Sequence, residues 1–182
     1  MEKQPPTIYL RPLTIDDTSE EYLSWLNDPV VTKYIETKKS TMQELIAYVR
    51  EHTDKADCRI LGIFVHASHK LIGTIKFEPI QWDEGVAQFA MMIGDRDYWG
   101  KGLGTLSTRL AVEYAFNDLK LKLIKLGVIA DNEAAIRAYH RVGFHDIDTS
   151  RVVVRADGSR HPAIDMILTR EEFESSGGTE QL

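Results

Sequence analysis

Apolar and polar positions alternate in TIYLRPL, residues 7–13, which predicts a short strand closed by Pro12. Tyr22, Leu23, Trp25 and Leu26 then follow helical spacing. Asp16 or Asp17 is placed to cap that helix, and the Asp28-Pro29 pair ends it. A second helix is predicted from about Thr41, as N-cap, to His52, with Leu45, Ile46, Tyr48 and Val49 turned inward. Three apolar runs follow at about residues 59–66, 70–80 and 86–93. The compact turns ASHK and QWDEG join them, the second carrying Gly85, and strands joined this way form an antiparallel meander.

From Leu103 the period changes. Leu103, Leu106, Leu110 and Tyr114 recur at spacings of three and four, with Arg109 and Glu113 as an i,i+4 pair off that stripe. The helical pattern fades at Asn117-Asp118, and KLIKLGVI at 122–129 reads as a buried strand. Asp131 or Asn132 caps a further helix ending at Gly143. Strands at about 144–155 and 160–169 flank ADGS, whose Asp-Gly pair signals a hairpin. The order is β-α-α-β-β-β-α-β-α-β-β. A helical crossover follows the third meander strand and favours a parallel pair there. The expected fold is therefore α/β of the α+β type: a mixed, mostly antiparallel seven-stranded sheet flanked by about four helices. Residues 7–170 read as one domain, between a flexible N-terminus at 1–6 and a polar C-terminal tail at 171–182.

Composition narrows the setting. The chain has 182 residues, 43% of them hydrophobic and 27% charged, as expected of a globular domain. A net charge of −6 argues against a nucleic-acid surface and is compatible with an amine-bearing ligand. The lone Cys58 forms no internal disulfide, and neither a signal-peptide core nor a membrane-spanning run is visible, so a cytoplasmic location away from membranes is expected. His66 and His69 straddle a turn without further ligands nearby, and no metal is expected.

The chemistry concentrates in DYWGKGLGTLST, residues 97–108, where glycines fall at every second position between a strand and a helix. The free N–H groups and dipole of a helix N-terminus favour an anion there. Gly100 and Gly102 admit a close backbone approach, Gly104 and Thr105 open the helix without bulk, and Lys101 adds a positive charge. The physical reading is a phosphate or pyrophosphate site; the plain alternative is a glycine-rich turn. The P-loop register G-x-x-x-x-G-K-[ST] is absent, and G-x-G-x-x-G fails because its third position is Thr105.

GKGLGT, followed by a helix, a strand and ADNEAAIRAYHRVGF, resembles the GCN5-related N-acetyltransferase (GNAT) superfamily. Its downstream pattern N-x-x-[AS]-x-x-x-Y-x-x-x-G-F matches Asn132, Ala135, Tyr139, Gly143 and Phe144, while Trp99 stands where its loop signature usually has Gln or Arg. The YWGKG loop and IYLRPLTIDD…YLSWLNDPVV resemble the RimJ/RimL-like branch. The resemblance implies acetyl-CoA as co-substrate. Main-chain amides of Trp99, Gly100, Lys101, Gly102, Leu103, Gly104 and Thr105 would bind its pyrophosphate. Met91, Met92 and Ile93 would lie on a strand splayed from its parallel neighbour, pairing with the pantetheine amides like an added strand. Asn132 and Ala135 would flank that arm, and an N–H near Met92 would polarise the thioester carbonyl. Asn132 also reads simply as a helix cap, and the side chains of 91–93 as core.

Tyr139 is the expected general acid, donating a proton toward the departing thiolate; its plain alternative is an aromatic core residue. A protonated alkylamine needs a base, for which Glu78 and Glu84 are candidates by position, each also readable as a solvated turn carboxylate. Tyr22, Trp25 and Tyr34 are mostly core by spacing. In the family the first two helices cap the acceptor site, which would make WLNDPVV a lid. The acceptor is expected to be a small primary amine such as an amino sugar or polyamine. A protein N-terminus is the alternative acceptor, and a non-catalytic acyl-CoA-binding module the alternative function. A homodimer is possible through an exposed C-terminal strand edge.

Overall fold

The structure, a computed structural model, describes residues 6–35, 40–155 and 158–177. It contains strands β1 (Ile8–Pro12), β2 (Arg59–Val65), β3 (Leu71–Gln81), β4 (Val86–Ile93), β5 (Leu123–Ile129), β6 (His145–Val154) and β7 (Arg160–Thr169). The helices are α1 (Glu20–Asn27), α2 (Met42–Asp54), α3 (Leu103–Asn117), α4 (Glu133–Val142) and α5 (Arg170–Ser175). One seven-stranded sheet runs β1-β2-β3-β4-β5-β7-β6, antiparallel except where β4 meets β5. The α/β class and the seven strands stand as expected. The expected flexible segment at 1–6 and the Asp157-Gly158 turn fall largely outside the described residues.

Two expectations change. Asp16 and Asp17 do not cap α1. Asp17 is committed to Arg11, at 2.6 and 2.8 Å, and to the Thr14 N–H at 2.8 Å, so it closes a short 3₁₀ turn. Ser19 caps α1 instead, accepting from the Tyr22 N–H. Among the described residues there are five α-helices where about four were expected. α5 occupies the start of the expected polar tail, opened by a Thr169–Glu172 capping box and held by Phe173, which is buried against Phe116 with ring centroids 5.8 Å apart. A six-residue helix with one apolar anchor leaves little periodicity to read.

Two cores form on the two faces of the sheet. Phe77, Ile75, Phe116, Ile124 and Met166 lie beneath α3, α4 and α5. Tyr22, Trp25, Leu45 and Val49 lie beneath α1 and α2, with Met92 against them. Burying each of these large side chains stabilises the fold by about 1.5–3 kcal/mol. β4 therefore serves both cores, with side chains alternating between them. Among the described residues, no helix is long and apolar enough to cross a membrane.

Candidate active site

β4 and β5 begin as a parallel pair at Val86↔Leu123, Ala87↔Ile124 and Gln88↔Lys125, and pairing stops there. Both strands continue, β4 to Ile93 and β5 to Ile129, so a gap opens in the middle of the sheet. Strand alternation settles which groups face it. The Gly94 N–H donates to the Ile72 carbonyl on the β3 side, at 2.9 Å, and the Gly85 carbonyl accepts from Lys122 and Leu123 on the β5 side. Odd positions therefore aim their main chain at β5: Phe89, Met91 and Ile93 face the gap. On the opposite wall the Ala130 N–H bonds Pro162 of β7, so Gly127 and Ile129 face the gap in turn. The Ile129 carbonyl is already taken by the Asn132 N–H at 2.8 Å.

This arrangement refines the assignment of Met91, Met92 and Ile93. Met92 pairs with Thr74 of β3 and sends its side chain toward α1 and α2, so its N–H is committed and is not an oxyanion donor. Met91 offers its N–H and carbonyl to an added strand, and Ile93 its N–H, since the Ile93 carbonyl accepts from the Trp99 indole. The error was one of phase: a single register step exchanges the gap for the neighbouring strand.

The gap leads to the glycine loop. Asp95 accepts from the Asp97 N–H at 3.0 Å and starts a 3₁₀ turn at Arg96–Tyr98. Gly100 and Gly102 then adopt φ of +72° and +76°, where any side chain costs about 1–2 kcal/mol. A Cβ on either would meet nothing within 4 Å. Gly102 is the N-cap of α3 and provides no side chain to cap it, so the first-turn N–H groups of Leu103, Gly104 and Thr105 open onto that space. Lys101 is exposed beside them, its Nζ 5.4 Å from the Tyr98 ring centroid. Gly104 brings α3 close to α4, since a Cβ there would sit 3.8 Å from that of Ala138. The two parts together fit a ligand with a peptide-like arm and an anionic end.

Asn132 caps α4 by accepting from the Ala135 N–H at 3.3 Å, a bond that uses its carbonyl oxygen and leaves its amide N–H groups out of the cap. Seven residues on, Tyr139 is 7% exposed, edge-on to Phe89 at 6.1 Å and tilted against Phe144 at 5.9 Å. Burial pushes its phenol up to about 12, so at neutral pH it keeps its proton and has one to donate. Among the described residues its hydroxyl has no hydrogen-bond partner.

The structure favours neither carboxylate expected as a base. Burial alone would raise Glu78, but Lys55, Lys76 at 2.7 Å and His52 at 3.3 Å surround it and hold it at about 2. A carboxylate so acidic is a poor proton acceptor for an ammonium at neutral pH; Glu78 ties α2 to β3. Glu84 is exposed in the β3–β4 turn, at the end of the sheet where β4 and β5 are still paired. The Glu78 clamp has a stability consequence. Its carboxyl titrates near 4.5 when unfolded and near 2 when folded, so its contribution is complete above about pH 4.5 and is lost as pH falls toward 2. Glu78→Gln is expected to lower Tm at neutral pH and to flatten the fall of Tm between about pH 5 and 3, as thermal melts at stepped pH will read.

Other contacts at the mouth were not legible in the sequence. A Cβ on Gly94 would lie 2.2 Å from the Trp25 ring, so α1 rests directly on the end of β4. Lys70 bridges Glu21 of α1 and Asp95, both at 2.7 Å. Tyr22 and Trp25 are core residues, whereas the Tyr34 hydroxyl donates to the Asp131 carbonyl at 3.1 Å, joining the segment after α1 to the loop before α4. A lone glycine at a strand end was the available signal for Gly94, since it marks a close approach.

Residues 7–145 match the model of the acetyltransferase (GNAT) domain. The chain is 32% identical over 159 residues to a probable N-acetyltransferase, YjcK of Bacillus subtilis (strain 168), covering 84% of this chain and 88% of the relative. Among solved structures, spermidine N-acetyltransferase from Vibrio cholerae in complex with CoA and spermine superposes with a TM-score of 0.81 at 20% identity, covering 92% of this chain and 98% of that one. An aminoglycoside acetyltransferase in complex with coenzyme A and kanamycin gives 0.74 at 24% identity, covering 94% and 99%. At those identities the two structures establish the fold.

Proposed function

Because the chain belongs to the GNAT acetyltransferase domain family and is an N-acetyltransferase, we propose that it takes acetyl groups from acetyl-CoA and passes them to the primary amine of a small molecule, a polyamine or an amino sugar. The observation that carries this reading is the continuity of the gap with the uncapped start of α3. It offers main-chain rungs at Met91 and Ile93 for an amide-bearing arm, and N–H groups at residues 102–105 for a diphosphate. The YWGKG loop supports placing the chain in the RimJ/RimL-like branch. The spermidine and aminoglycoside enzymes that share the fold support a small amine over a protein N-terminus.

Acetyl-CoA supplies an activated acyl carbon. The protein's part is to align that carbon and manage charge. Met91 and Ile93 orient the arm, and Asn132 holds it from the far side with its free amide. Tyr139 presents a proton where negative charge gathers on sulfur, in surroundings that disfavour a bare thiolate. Neither Glu78, held ionised among its cations, nor Glu84, at the far end of the sheet, is well placed to take the proton from the amine.

The test is a screen of polyamines, aminoglycosides, amino sugars and peptides, with mass detection of the acetylated product. Transfer to at least one small amine is expected. Acetylation confined to peptides, or tight CoA binding with no transfer to any acceptor, would overturn it.

A further inference from the structure

Trp99 sits where the gap ends and the glycine loop begins. Its side chain reaches back six residues: the indole Nε1–H donates to the Ile93 carbonyl at 2.8 Å. That carbonyl is the last one of β4 to face the gap. Its main chain closes the 3₁₀ turn, donating to Arg96 at 3.1 Å, and Gly100, the next residue, opens the positive-φ loop. The ring is 41% exposed, so core packing does not fix it in place. Among the described residues, the indole bond is the one tie that joins the start of the glycine loop directly to the gap-facing edge of β4, in addition to the bonds of the 3₁₀ turn between them.

We infer that Trp99 is a positioning residue that holds the diphosphate loop at a fixed distance from the pantetheine edge, so that acetyl-CoA is gripped at both ends in one register. The inference rests on the acetyl-CoA reading above. It has a structural corollary: with the Ile93 carbonyl already satisfied, Met91 is the first β4 residue offering the arm both a free N–H and a free carbonyl. It also has a kinetic one. Loosening the bond penalises only a ligand that spans strand and loop, and spares one that occupies the strand alone.

Trp99→Phe keeps an aromatic ring and removes the donor. Two acyl donors separate the effects: acetyl-CoA, and S-acetylpantetheine, which has the thioester and amides but no diphosphate. The KM for acetyl-CoA is expected to rise roughly threefold to tenfold, the worth of one hydrogen bond between uncharged groups. kcat with acetyl-CoA and kcat/KM with S-acetylpantetheine should stay within twofold or so of the wild type. General loosening of the fold would depress both donors. Equal losses with the two donors, or no change with acetyl-CoA, would overturn the coupling. Wild-type protein that used the two donors equally well would overturn the diphosphate site itself and the coupling with it, which distinguishes the two failures.

Discussion

A Tyr139→Phe enzyme is expected to turn over about a hundredfold or more slowly, the low end of what a positioned general acid contributes. Its KM values for both substrates and its Tm should stay close to those of the wild type. The split follows from how the residue is held. The ring is fixed by Phe89 and Phe144, which phenylalanine contacts equally well, and among the described residues the hydroxyl bonds nothing whose loss would unfold the protein. Only the reacting sulfur would miss it. With its phenol at about 12, Tyr139 also imposes no alkaline limb on kcat below about pH 10. Steady-state kinetics from pH 6 to about 10 check both points. An unchanged kcat would reduce Tyr139 to a core aromatic.

Gly102→Ala is expected to raise the KM for acetyl-CoA roughly tenfold to a hundredfold, the range for losing one hydrogen bond to a charged group. At φ +76° the alanine costs about 1–2 kcal/mol of stability, or several degrees of Tm. Its Cβ strikes no protein atom, because it enters the open space before α3. The control is Gly158→Ala in the β6–β7 turn, also at positive φ, +82°, and also with nothing within 4 Å. It should lose similar stability and leave the KM alone. Equal KM values for the two variants would show that the space above Gly102 holds no ligand.

The periodic elements were legible because each buries one face. The 3.6-residue stripe of α3 and the alternation of β3 and β4 landed within a residue or two. What failed was local competition. Asp17 had the right chemistry and position for a cap but found Arg11, a strand residue six positions earlier that periodicity does not connect to it. Glu78 read as a solvated turn carboxylate because Lys55 and His52 are distant in sequence. Within the site, the glycine loop announced itself by composition and Asn132 by its cap context. The identity of the gap-facing positions did not, since Met91 and Met92 are chemically alike and only pairing to β3 separates them. The Trp99 bond was invisible for the opposite reason: its acceptor is a main-chain carbonyl, which every residue has.

The alternation of β4 also bears on how such a protein diverges. The strand presents different kinds of atoms on its two sides. Toward the cleft in the sheet it shows backbone, which no substitution other than proline deletes. Toward α1 and α2 it shows the Met92 side chain, packed against the core cluster that includes Tyr22 and Trp25. Were the amine to approach beneath α1 and α2, selection for a new one would rework that helical roof and that one thioether while the donor's seat is inherited intact. A lineage would then be free to change what it modifies without relearning what it modifies with.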